Sequence, residues 1–588
     1  MEEQDPKEII RDLNDTEINS VEEFEQVEND EEVENENQGR IYWIFRNIRK
    51  GIATWFGNHK ILGSVLILIL LIATFYLRAY IHPVTLTIRK YFVLILLLWL
   101  IVWFFRRRIR KKEKFFSRLL RNIVLLGVLV GGYFVGPPVY KYLGLYYHYQ
   151  TINKKEISNL PLTEQERIQP LNSIKTLVNQ EVLAETKEAT LPHIVIRHDG
   201  RLDFSMCVGP STRYLVSQFT ENMTEIISVP ANAAATGFSR DTKHPVKFDV
   251  GENLVLSSYS YTTAIKRLNF IDFFNYEADE VKFIERAKDD WIQVITLIKW
   301  EGWLVPRPVF GGVIIIDQIE KNTVGNALKR ASIGKGSFIK PADVKNYSYL
   351  AKQNLLSDKI ATFSAESFRF QNGFMAPMPG YHQGDIRVPQ LPEDQNQQPF
   401  VAYFNFEGVE KGKQGELCHY FGLEPFQENK RALNTSIFIP SSGVDNTVYY
   451  IDHVKNGDGF TGSSSIASKV KESKKNYDWT ANNPAETRPY IKMIDGKRQF
   501  FWLSTVITKV DAEGKEFIGG TVPELTLTDA LTSEVFWVER DNLKDESLWL
   551  RKSPNLPHVI DTLDPTMKKI YEKYGAEINN SFFSKKVQ

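Results

Sequence analysis

A few short segments hold residue types whose spacing could support chemistry. Ile333-Gly334-Lys335-Gly336-Ser337 has the glycines and lysine of a phosphate-cradling loop. That loop needs Ser or Thr directly after Gly-Lys, and here Gly336 intervenes. Ser468-Lys469-Val470-Lys471 has the Ser-x-x-Lys spacing by which a lysine can activate a serine nucleophile, but the Ser-Asp-Asn and Lys-Thr-Gly elements that accompany it in enzymes are missing. Asp452, Asn456 and Asp458, with Gly457 and Gly459, offer oxygen ligands of the kind calcium takes. Their spacing is not that of an EF-hand, and no glutamate closes the loop. His193 and His198 flank an Asp-Gly turn, and side chains alternate across a strand, so a shared metal between them is not expected. Cys207 and Cys418 are the only cysteines. One long-range disulfide is possible, but two buried thiols are the preferred reading, because an exterior built on disulfides would use more cysteines. No catalytic, cofactor-binding or metal-ligating residue is therefore assigned, and the expectation leans away from an enzyme.

The elements that would position any such group are dominated by the N-terminal region. Ile61 to Leu77, Tyr91 to Phe105 and Ile123 to Tyr140 are uncharged apolar stretches. A spanning helix needs about 17–25 such residues, and the sequence predicts three transmembrane helices within 61–142. Thr85 to Ile88 would extend the short second stretch. Gly131, Gly132 and Gly136 would let helices approach closely, and Pro137-Pro138 would kink or end the third span. Arg106, Arg107, Arg108, Arg110, Lys111 and Lys112 lie in the 106–121 loop between the second and third stretches. A basic loop this dense is retained in the cytoplasm, so these residues are the expected topology determinants. They place the N-terminus inside and everything beyond about residue 142 outside, as an integral membrane protein with an extracytoplasmic body. The first stretch follows a long acidic segment and so does not read as a cleavable leader.

Residues 1–39 are rich in Glu and Asp and poor in apolar residues, which predicts a disordered cytoplasmic tail. In 40–60, Ile41, Ile44, Phe45, Ile48, Ile52, Trp55 and Phe56 share a helical face, the pattern of an amphipathic helix in the inner headgroup layer. Lys plus Arg and Asp plus Glu each total 72. With no basic excess, nucleic acid is not an expected partner.

The exterior predicts an α+β fold in two domains. Residues 143–190 read as a stalk, with Tyr146, Tyr147 and Tyr149 at the outer interface and a modest helix from Leu171 to Thr186. Residues 191–375 form the first α+β domain. His193 to Arg197, Asp199-Gly200 and Leu202 to Val208 read as a hairpin. Lys247 to Tyr261 reads as further strand. Val281, Ile284, Ala287, Trp291, Val294, Ile295 and Ile298 share a face, which predicts a long helix with Glu277, Asp279 and Glu280 at its positive end. Val309 to Asp317 reads as a strand interrupted at Gly311-Gly312. Residues 376–399, with five prolines, read as an irregular connection. Met375, Met378 and Tyr381 on it are the partner-binding candidates, because long loops on a rigid scaffold carry recognition. Residues 400–588 form the second domain, with strands at 400–406, 436–440 and 447–451 and a closing helix from Asp564.

Pro192 to Arg201 and Pro489 to Lys497 look alike around Asp199-Gly200 and Asp495-Gly496. Beyond the second copy come Leu527-Thr528-Asp529-Ala530 and Val535-Phe536-Trp537-Val538. Residues 489–539 resemble PepSY-type modules, which end in a strand, an Asp turn and a closing strand. Thr532-Ser533 stands where that family's turn usually carries Thr-Gly. The resemblance implies an envelope-facing regulatory or binding module, and no functional residue is carried over from it. The expectation is a membrane-anchored binding or assembly protein of an envelope complex. Its expected partners are membrane lipid, other membrane or envelope proteins, or further copies of itself, and no cofactor is expected. The alternatives are an envelope enzyme with a site assembled from distant residues, or a regulator of an envelope protease or channel.

Overall fold

A computed structural model describes residues 60–108, 115–181, 184–232, 242–320, 323–392 and 395–512 (apart from 428 and 495), and 515–549 with further short breaks. The acidic tail at 1–39, the amphipathic segment up to residue 59, Arg110, Lys111 and Lys112, and the helix expected from Asp564 lie outside the described residues. Helices hold 34% and strands 33% of the chain, grouped rather than alternating, which is the α+β pattern. The chain divides into two compact units, residues 1–77 and 78–588.

The first apolar helix runs from Lys60 to Lys90, the second from Phe92 to Arg108 and the third from Phe115 to Thr151. Two of them, over Ser64–Lys90 and Ile123–Thr151, are long and apolar enough to cross a membrane, while Phe92–Phe104 is shorter. The three expected spans thus become two of sufficient length and one short apolar helix. Thr85 to Ile88 belong to the first helix, not the second. Only Tyr91 separates these two helices, and its N–H still bonds to the Thr87 carbonyl. Pro137 and Pro138 lie inside the third helix and do not end it. Its neighbours are Gly136 and Gly132, which face Leu94 and Leu98 of the second helix so closely that a Cβ would collide with either leucine. Glycine at those two positions is what lets the second and third helices meet.

Among the described residues, four antiparallel or mixed sheets make the body. Residues 143–190 are no free stalk. Their strands Lys154–Glu156 and Leu162–Glu164 form the two edges of a seven-stranded sheet whose centre is Val448–Asp452, Thr435–Pro440, Glu416–Pro425 and Phe400–Asn405. The short strand Ile386–Arg387 also pairs with Glu416–Pro425, so the proline-rich 376–399 stretch is stitched to this sheet.

The helix expected over 281–298 is absent. Tyr276–Ala287 and Asp290–Glu301 are instead two antiparallel strands of a four-stranded sheet with Arg307–Ile316 and Ser337–Ile339. The apolar residues there cover both faces of the strands, Ile284, Ile292, Val294 and Ile298 in one core and Val281, Phe283, Trp291, Ile295 and Leu297 in another, so a helical stripe can be picked out of a doubly buried sheet. Ile292, Val294, Thr296 and Ile298 are β-branched, which favours the pleated state. Asp289 turns the chain at φ 60°. Gly312, at φ 90°, makes the expected break in Arg307–Ile316, and the register shifts between Phe310 and Val313.

A five-stranded sheet holds the hairpin His193–Ile196 with Leu202–Pro210, plus Lys187–Ala189, Met223–Pro230 and Lys243–Phe248. The strand expected from Lys247 to Tyr261 ends at Phe248, and the helix Ser260–Arg267 follows. The last sheet orders Asn482–Ile494, Lys497–Ala512, Glu524–Asp529 and Val535–Glu539, with Lys515–Ile518 on the second of these. One apolar core joins Ile284, Phe310 and Phe368 to Phe421, Ile437 and Val448, so residues on both sides of 376–399 share it.

Candidate functional site: the helix-docking face

From Arg78 onward the first apolar helix turns a seven-residue pattern of unlike residues toward the body. Ala79, His82, Leu86 and Arg89 are all buried. The Nε2 of His82 lies 2.7 Å from the Phe273 carbonyl, and Nδ1 lies 2.7 Å from the Tyr261 hydroxyl. A carbonyl can only accept, so Nε2 carries the proton and Nδ1 accepts from Tyr261. Arg89 donates from Nε to Asn275 (3.1 Å) and from Nη2 to the carbonyls of Trp300 (3.1 Å) and Gly302 (2.9 Å). Its guanidinium also lies 5.4 Å from the Trp303 ring. Lys90 pairs with Glu277 at 2.8 Å over the face of Trp300, whose indole N–H bonds to the same carboxylate. Burial would raise the Glu277 carboxyl, but Lys90 outweighs this and holds it below its ordinary value.

The third helix docks in the same manner. Tyr140 bonds to the Leu304 carbonyl and Tyr142 to the Phe374 carbonyl. Tyr142 and Tyr146 meet Phe370 and Phe374 edge to face. Lys141 pairs with Glu366 at 2.7 Å, and His148 Nε2 lies 3.0 Å from the Ser364 hydroxyl. Of these tyrosines, Tyr146 was expected with Tyr147 and Tyr149 at an outer membrane interface above a stalk. It is instead fastened to protein, because the helix continues to Thr151 with no break.

Beside the end of this helix lies an open cleft of about 820 Å³, with walls from His148, Arg307, Lys299, Phe310, Ile360 and Ile439 among others. Glu301 lies 3.0 Å from Lys299 and 3.5 Å from Arg307, so the cationic wall is partly neutralised. Ser364 and His148 have the reach of a nucleophile and base, but His148 Nδ1 meets no hydrogen-bond partner among the described residues. Among the described residues no carboxylate orients His148, so the third member of a triad is not in place.

Two buried charged clusters tie the sheets together. Glu486 contacts Arg167 and lies 3.1 Å from Arg488, and it accepts from Asn396 (2.9 Å) and the Leu171 N–H (3.3 Å). Burial opposes its charge, but Arg167 and Arg488 hold the carboxyl below its ordinary value. In the second cluster Lys282, wholly buried, donates to the Asn354 carbonyl at 2.7 Å and pairs with Glu280 at 2.8 Å. Glu280 in turn accepts from the Asp358 N–H, and Asp358 meets His419 at 3.1 Å. His193 faces this cluster. Burial and then Lys282 push its imidazole down to about 4.

The other residues singled out in the sequence do not converge. Lys335 pairs with Asp249 at 2.6 Å, beside Arg330, and is a structural cation. Ser468 is exposed on the helix Ile466–Ser473. Asp452 caps the turn His453–Asn456 and Asp458 bonds to His453, and no cluster able to hold a metal occurs among the described residues. Cys207 and Cys418 are free and buried. Arg106, Arg107 and Arg108 close the second apolar helix. Met375, Met378 and Tyr381 are exposed on a turn-rich loop whose Phe374 is the residue gripping the third helix. The sequence did not point to His82, Arg89 and Glu277 as a docking set. A histidine and an arginine seven residues apart in an apolar helix were the available signal.

No family model, curated protein or solved structure matches this chain. The resemblance of residues 489–539 to PepSY-type modules therefore carries no functional argument here. Ser533, at φ 65°, takes the turn conformation that the family's glycine would favour.

Proposed function

We propose that this is a membrane-anchored binding or assembly protein that holds its α+β body directly against the lipid surface. The observation that carries the reading is the docking of the apolar helices through Arg89, Lys90, Tyr140 and Tyr142, with no flexible tether between helix and body. A rigid mount suits a scaffold that must present a surface at fixed height and orientation. In this reading all three apolar stretches span, the N-terminus is cytoplasmic and the body is extracytoplasmic. The basic residues Arg106 to Lys112 support the orientation. Arg106, Arg107 and Arg108 end the 17-residue second helix, about 26 Å of rise from its docked start.

Tags at the N-terminus and at Gln588 should report opposite sides of the membrane. Neutralising Arg106, Arg107, Arg108, Arg110, Lys111 and Lys112 should scramble that orientation. Both ends on one side, or unchanged topology after neutralisation, would refute the assignment. The proposed partners are other envelope or membrane proteins, or further copies of the chain, meeting the exposed Met375, Met378 and Tyr381. Replacing residues 378–396 with a short Gly/Ser bridge should abolish partner capture from mild detergent. Full capture by a folded variant would reject this contact.

A further inference from the structure

The docked part of the first apolar helix has two faces. One face, Ala79, His82, Leu86 and Arg89, is buried on the body. The other carries Ile81, Val84 and Ile88, 46–62% exposed, with exposed Pro83 and Thr87 beside them, the Thr87 hydroxyl bonding back to the Pro83 carbonyl. Two neighbouring loops add to it. Phe270 and Ile271 are 80% and 74% exposed, although Phe273 in the same short helix is buried against His82. Trp303 and Leu304 are 68% and 71% exposed at the turn after Glu301. The contacts place these groups together. Arg89 touches Asn275, the Gly302 carbonyl and Trp303. Asn275 bonds back to the Ile271 carbonyl, and the Leu304 carbonyl meets Tyr140. Tyr140 in turn packs on Tyr91, where the second helix begins.

We infer that this collar, the outward face of residues 81–88 with the 270–271 and 303–304 loops, is seated in the interfacial layer of the bilayer that the apolar helices enter. The inference rests on the membrane-anchored reading and adds a second, non-spanning contact with lipid. Continuity selects the occupant. The collar surrounds the point where exposed apolar helices meet the body, so lipid that covers Leu94 to Leu100 and Val130 to Val139 reaches the collar next. Trp303, with an apolar body and a polar N–H, is the residue type that settles at the headgroup level. The collar would fix the tilt of the body and keep the cleft beside His148 close to the lipid surface.

Single cysteines introduced as Val84→Cys, Ile271→Cys and Trp303→Cys, each carrying an environment-sensitive fluorophore, test this in the full chain. Cys207 and Cys418 are wholly buried and do not compete for label. The protein is reconstituted in phosphatidylcholine–phosphatidylglycerol vesicles bearing a nitroxide either near the headgroup or near the acyl-chain end. Leu97→Cys in the second helix reports the anchoring itself, and Leu531→Cys on the last hairpin turn reports exposure to water. The expected result is strong quenching of positions 84, 271 and 303 by the shallow nitroxide, deep quenching at 97 and none at 531. Quenching at 97 with 84, 271 and 303 behaving like 531 would overturn the collar and leave the anchoring intact. No quenching at 97 would overturn the anchoring and the collar with it. Blue-shifted emission at 271 and 303 with no quenching by either nitroxide would mean that protein, a partner or a second copy, covers the collar, and would also overturn it.

Discussion

The helix-docking face and the Glu486 junction depart from the usual surface–interior rule in opposite directions. At the first, Phe270, Ile271, Trp303 and Leu304 stand out from the body, each at least two-thirds exposed. At the second, Arg167, Glu486 and Arg488 are withdrawn from water almost completely. The junction is closed on itself: Arg167 and Arg488 both pair with Glu486, which also accepts from Asn396, and Arg488 donates to the Thr505 hydroxyl. The face is open: Phe270 meets Phe274 and Trp303 meets Arg89, yet among the described residues Phe270 and Trp303 stay 80% and 68% exposed. Internal partners account for one irregularity, and the proposed lipid collar is the reading offered for the other.

That contrast is sharpest when each region is perturbed. Glu486→Ala leaves two buried guanidinium groups facing each other. It should destabilise the protein by about 3–5 kcal/mol, read as a lower midpoint in denaturant unfolding of the full chain in detergent. A loss below about 1 kcal/mol would mean that water reaches Arg167 and Arg488 freely, and the distinction between the regions would collapse.

Within the docking face itself, adjacent aromatics should behave oppositely. Phe273→Ala removes a ring buried against His82 and should cost about 3–5 kcal/mol. Phe270→Ala, at a position 80% exposed, should change stability in detergent by no more than about 0.5 kcal/mol. Equal effects would show that Phe270 packs on protein after all.

His82→Ala strands the Tyr261 hydroxyl and the Phe273 carbonyl, for an expected loss of about 1–3 kcal/mol. The same variant should speed protease cleavage near residues 270–275. Unchanged stability and cleavage would make His82 a bystander to docking.

A modest effect is expected from the pH response of His193. Its folded pKa, about 4, lies below the ordinary 6.5. Its contribution is therefore fully present above about 6.5 and is lost as pH falls through the window down to about 4. Partial solvent access reduces this to roughly 1 kcal/mol. His193→Asn should flatten the stability profile in that window. Glu280, held at about 2 because Lys282 and then His193 outweigh the opposing effect of burial, loses its contribution only between about 4.5 and 2. An unchanged slope between pH 6.5 and 4 in His193→Asn would assign that slope to another group.

Legibility in the sequence followed the range of the interactions. The hairpin at Asp199-Gly200 formed as expected, with Arg197 bonded to Arg201 across a three-residue turn and Gly200 at φ 85°, because so short a turn is a local decision. The Gly311-Gly312 break and the reading of two buried thiols also came through. The strands Tyr276–Ala287 and Asp290–Glu301 were misread as one helix. Their apolar residues cover both faces, so a helical stripe can be picked out of them, and the choice was made by pairing with Arg307–Ile316. The supposed stalk failed for a related reason. Three-residue strands such as Lys154–Glu156 carry almost no signal of their own and exist through partners about 290 residues away, as in Lys154 with Val448.

By itself the sequence determined the apolar stretches, the basic run between them, the mixed α+β character and the turns, since hydrophobicity, charge and φ preference are properties of short segments. The tertiary structure alone decided that these helices are fastened to the body through His82, Arg89 and Tyr142, that the segment after Thr151 is woven into a seven-stranded sheet, and that Glu486 lies between two arginines. Those outcomes depend on contacts between residues up to about 320 positions apart in the chain. Whether such contacts form depends on the shapes and polar groups that the whole fold brings together.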